Sequence, residues 1–60
     1  MDYRETIERA ESLEEAAMLL AEDAQEAFEQ GDLDRAEALA ENVILLVQSA
    51  RAIRVGPKPA

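Results

Sequence analysis

Glu29-Gln30-Gly31-Asp32-Leu33-Asp34 divides the chain into two long segments, and Gly31 is the only glycine before Gly56. Glycine takes the left-handed conformation that ends a helix, and Asp32 can cap the next one. Asp34 then places negative charge in a first turn, where the helix dipole favours it. A connection this short makes the flanking helices antiparallel. The stretch therefore predicts an all-α antiparallel helical hairpin, with helix one over about residues 3–29 and helix two over about 33–55.

Working outward, Tyr3, Ile7, Ala10, Leu13, Ala17, Leu20, Ala24 and Phe28 follow steps of three or four, the period of one helical face. The corresponding stripe of helix two is Leu33, Ala36, Leu39, Ala40, Val43, Leu46, Val47, Ala50 and Ile53. Pairing outward from the turn sets Phe28 near Leu33, Ala24 near Ala36, Ala17 near Val43 and Leu13 near Val47. Small residues are expected to meet near the turn and larger ones at the open end. Asp2 with Glu5 has capping-box spacing, and Ser12 with Glu15 repeats it, so helix one either runs through or restarts at Ser12. Arg51 and Arg54 complement the negative end of helix two, and at the open end Asp2 and Glu5 are expected near Arg51, Arg54 and Lys58. Gly56-Pro57 ends the helix. Residues 1–55 thus form the hairpin and 56–60 a flexible tail.

Sixty residues make a marginal domain. The chain has no cysteine and no histidine, which removes disulfides and the commonest zinc ligands and leaves oligomerisation as the means of stabilisation. The opening is acidic with no apolar leader, and the longest apolar run, Val43 to Val47, is far below the ~20 residues of a membrane span. A cytoplasmic protein and a complete small reading frame are expected. The net charge is −8, all of it in residues 1–30. That disfavours direct nucleic-acid binding and anionic membrane surfaces as partners.

Residues that break the apolar stripes are the candidate site. Met18 and Leu19 lie outside the stripe of helix one, and Ile44 and Leu45 lie off the stripe of helix two at the same height. A two-helix unit has one internal seam and cannot cover them, so Met18, Leu19, Ile44, Leu45 and Gln48 are expected at an interface with another chain. Leu45 in particular is expected to be buried there. A second feature is an acidic face of Glu8, Glu11, Glu15, Glu22, Glu26 and Glu29, about 32 Å long at 1.5 Å per residue. It reads as a solvated face, or as a carboxylate row occupying a basic groove of a partner. No hydroxyl has an evident base beside it, and no Glu-x-x-His motif or phosphate loop is present. Hence no catalytic residue, metal or cofactor is expected. Glu14 is the acid closest to the seam and the one expected to be partly buried. Asn42 and Gln48 are the neutral polar residues nearest an interface.

Ala24-x3-Phe28-x2-Gly31-Asp32-x3-Ala36-x3-Ala40 resembles the turn and second helix of a tetratricopeptide repeat. The resemblance covers the inner part of one repeat, and no second repeat follows. Since about three repeats are needed to bury a solenoid core, it implies an antiparallel helix pair and not a peptide-binding superhelix. In overall plan the chain is similar to Rop-type two-helix proteins, which pair into four-helix bundles, an architectural likeness alone. These features set three expectations for function. The first is a non-enzymatic interaction module that forms a four-helix bundle homodimer. The second is an acidic decoy or inhibitor of the phage or plasmid kind, and the third is an adaptor hairpin on a larger partner protein.

Overall fold

The computed structural model describes residues 3–56. They form two helices, α1 (Tyr3–Glu29) and α2 (Leu33–Val55), packed along one another as a hairpin. Both helices are where the sequence pattern puts them, and α1 runs through Ser12 without a break. Asp2, Lys58 and most of the tail lie outside the described residues.

The turn is built from the residues that mark it. Gly31 sits at φ 81°, and its N–H donates to the Phe28 carbonyl at 3.0 Å. The Asp32 N–H reaches back to the Ala27 carbonyl at 2.9 Å. This double bond pattern closes the last turn of α1 and satisfies carbonyls that the helix itself leaves open. Asp32 then begins α2. Its Oδ1 accepts from the Arg35 N–H at 3.2 Å, and its carbonyl accepts from Ala36 at 3.0 Å. One residue thus ends one helix and starts the next. At the far end Gly56, φ 76°, donates to the Ala52 carbonyl at 2.9 Å and closes α2.

The seam follows a seven-residue repeat. In α1 it takes Ala10, Ala17 and Ala24 as one column and Leu13, Leu20 and Ala27 as the next. In α2 the columns are Ala36, Val43, Ala50 and Leu39, Leu46, Ile53. All of these are buried or half-buried, but the buried set consists of Ala10, Ala17, Ala27 and Ala50 alone. No described side chain larger than alanine is fully enclosed. The alanines lie toward both ends, so close approach is not confined to the turn, as the sequence pattern implied.

Five residues assigned to the seam by their spacing are exposed instead: Tyr3, Phe28, Leu33, Ala40 and Val47. Steps of three and four gather them into one stripe, yet Phe28, Leu33, Ala40 and Val47 occupy a third position of the repeat. At about 100° per residue, Phe28 is ~40° beyond Ala24, and Ala40 and Val47 are ~40° beyond Ala36 and Val43. A single neighbouring helix covers two columns and leaves the third uncovered. Tyr3 is exposed for a different reason. With 27 residues against 23, α1 overhangs α2 at the open end. The Cα atoms span 45 × 24 × 9 Å, a single layer of helices.

The turn gives a local test. A Cβ added at Gly31 meets nothing within 4 Å, so Gly31→Ala costs only the left-handed backbone, roughly 1 kcal/mol. Asn tolerates that conformation better, so Gly31→Asn should cost clearly less. Asp32→Ala removes the cap and should also cost about 1 kcal/mol. Thermal unfolding of the three variants checks this, and equal losses for Ala and Asn at position 31 would contradict the backbone explanation.

Candidate interaction surface

The third column of each helix forms the candidate site. In α1 it reads Ile7, Glu14, Ala21 and Phe28, and in α2 Leu33, Ala40, Val47 and Arg54, each at a spacing of seven. A hydrophobic face three columns wide suits a helix buried within a bundle, whereas a two-helix seam needs only two. Here the extra column is unpartnered. Phe28, Leu33 and Val47 are 66%, 60% and 49% exposed.

Because the helices are antiparallel, the two extra columns fall on the same side of the hairpin. An ion pair crossing the seam demonstrates it. Arg54 donates from Nε to Oε2 of Glu14 and from Nη2 to Oε1 at 2.7 Å. These two residues are the only charged members of the two columns, and they hold each other in the bidentate geometry that guanidinium and carboxylate favour. The hydrogen bond to Arg54 lowers the Glu14 pKa, against a smaller upward push from desolvation. Glu14 in turn raises that of Arg54. Their side chains remain 41% and 43% exposed, so in this state the pair acts as a surface ion pair of modest strength.

The half-buried Glu14 was expected from its position, but its partner was not. The sequence pattern sets Arg54 near Asp2 and Glu5 at the open end. Asp2 lies outside the described residues. Glu5 lies in the column of Ser12 and Leu19, on the far side of α1, whereas Glu14 shares the Arg54 side. A cation and an anion at equivalent positions of two seven-residue columns is the signal in the sequence that could have identified the pair.

The interface candidates Met18, Leu19, Ile44, Leu45 and Gln48 are all exposed. They do not share one side. At about 100° per residue, Met18 and Ile44 flank the two extra columns. Leu19 and Leu45 turn toward the opposite side, which is lined by Arg9, Asp23, Arg35, Asn42 and Ser49. Gln48 points away from the seam on the back of α2, beside a shallow depression that it lines with Arg51, Ala52, Val55 and Gly56. Asn42 is exposed like Gln48.

Glu8, Glu15, Glu22 and Glu29 form a single seven-residue column on the back of α1, with Glu11 and Glu26 beside it. All six are exposed. Glu26 Oε1 accepts from Gln30 Nε2 at 3.4 Å. In the tetratricopeptide-like stretch, Ala24 and Ala36 meet at the seam, while Phe28 and Ala40 stand off it. Among the described residues no group of acids could hold a metal ion, and no helix is long and apolar enough to cross a membrane.

The ion pair predicts a pH dependence with a definite sign. Glu14 has a lower pKa folded than unfolded, so its contribution is fully present above the ordinary glutamate pKa of about 4.3. It is lost as the pH falls through the lower folded value. Arg54 stays charged throughout. The melting-temperature difference between wild type and Glu14→Gln should therefore be largest at neutral pH and close at acid pH. A difference that is constant down to pH 2 would show that Glu14 acts without its charge. In comparisons with protein-family models, curated proteins and solved structures, the chain matches none of them significantly.

Proposed function

We propose that this chain is a small non-enzymatic interaction protein of the cytoplasm whose hairpin pairs with a second copy, most simply as an antiparallel four-helix bundle. One observation carries the reading. A single layer of two helices encloses no described side chain larger than alanine, while large apolar side chains stand exposed along both helices. Apolar surface of this extent on a small soluble domain marks an association site. A second layer turns a one-sided hairpin into a domain with a core. The lack of histidine and cysteine, and of any activated hydroxyl in the sequence, supports a binding role over catalysis.

Charge distribution separates this reading from the acidic decoy. Association of a chain of net charge −8 is opposed by self-repulsion, so added salt should leave assembly unchanged or strengthen it. Replacing Glu15, Glu22 and Glu26 by Gln should act in the same direction, since Gln preserves helix propensity. A decoy on a basic groove behaves in the opposite way and loses its partner under both treatments. Sedimentation equilibrium at low and high salt, with wild type and the triple Gln variant, should show a mass of twice 6.6 kDa in every case. A monomer of 6.6 kDa that captures a basic partner only at low salt would favour the decoy. A monomer indifferent to salt would favour the adaptor.

A further inference from the structure

We infer that the second copy packs on one particular side of the hairpin, the side marked by Glu14 and Arg54, and that this ion pair becomes an interior element of the assembly. The inference rests on the homodimer reading above and adds the face, its chemistry and its partner. Three properties of that side point to another copy of this chain.

The first is continuity. The exposed column Leu33, Ala40, Val47 borders the seam column Ala36, Val43, Ala50, and Phe28 borders Ala24. A helix laid over this side would extend the existing core, interrupted in these columns only by Glu14 and Arg54, which are paired with each other. The opposite side offers Arg9, Ala16, Asp23, Gln30, Arg35, Asn42 and Ser49 at the equivalent positions, polar but for Ala16.

The second is charge. Across the extra columns and their outer neighbours the acids are Glu11, Glu14 and Glu37, and the bases Arg4, Arg51 and Arg54. That side is neutral in a chain of net charge −8, so it is where two copies meet with least repulsion. It is also self-complementary. With the two turns at opposite ends of the dimer, Arg51 comes level with Glu37 of the second copy. With the turns at the same end, it comes level with Glu11. Either arrangement sets a cation against an anion, as an isologous interface requires. A strongly acidic or basic partner would find no such match.

The third is area. The Cα outline of a side, 45 by 24 Å, has room for the ~800 Å² per partner of a stable interface.

Sedimentation equilibrium on Val47→Glu and Leu45→Glu tests the face. Val47 is inside the proposed contact and Leu45 is outside it, and both are exposed in the single hairpin. Val47→Glu should weaken the dimer at least about a hundredfold, because an unpaired charge would be buried, while Leu45→Glu should leave it intact. A second variant avoids reliance on loss alone. Replacing Glu14 and Arg54 together by Leu should tighten the dimer, since an apolar pair spares the desolvation of two charges. A dimeric wild type that tolerates Val47→Glu and dissociates with Leu45→Glu would overturn the face and leave the homodimer standing. A double-Leu variant no tighter than wild type would overturn the interior position of the ion pair. A monomeric wild type would overturn the homodimer and this inference together.

Discussion

Two helices share one seam, and a seam between two helices covers two columns of a seven-residue repeat. This hairpin carries three. Its seam brings alanines into the tightest positions, Ala10, Ala17, Ala27 and Ala50, so each contributes little buried surface. The larger side chains of the seam, Leu13, Leu20, Leu39, Leu46 and Ile53, are only half-covered, because the layer has solvent on both sides. The residues best able to make a core, Phe28, Leu33 and Val47, are left on the outside. Alanine is also the strongest helix former, so local propensity supports helices whose packing is thin. Helix formation is thereby well supported within the chain, while core formation within it is not.

The turn tolerates no comparable ambiguity. Gly31 takes the left-handed conformation at which Asp32 bonds backward to Ala27 and forward to Arg35, and the short closure sets the two helices antiparallel. The direction of the hairpin then determines which side each column faces. Because the chain reverses, equivalent columns of the two helices meet on one side, and the Glu14–Arg54 pair bridges them there. A small feature of backbone geometry thus places both extra columns on a single face, with Leu19 and Leu45 exposed on the other.

The elements themselves were legible in the sequence. Glycine, an aspartate cap and helical periodicity are local signals, and they placed the ends of α1 and α2 where the structure has them. The division of labour among apolar residues was not legible at the same level. Steps of three and four do not distinguish a residue at the centre of a face from one 40° around the helix, and so Phe28, Leu33, Ala40 and Val47 passed for seam residues. Counting by sevens separates them. Met18 and Leu19 share a height, as do Ile44 and Leu45, but adjacent residues point about 100° apart and fall on different sides. Height along a hairpin can be read from distance to the turn, whereas the side requires the register of both helices.

If the hairpin depends on a second layer, its helices depend on concentration. Far-ultraviolet circular dichroism of the wild type on dilution tests this directly. The account predicts that helicity and the thermal midpoint fall together as the chain is diluted, with the loss tracking the fraction dissociated. Full helicity and an unchanged midpoint in a sample shown to be entirely monomeric would contradict it.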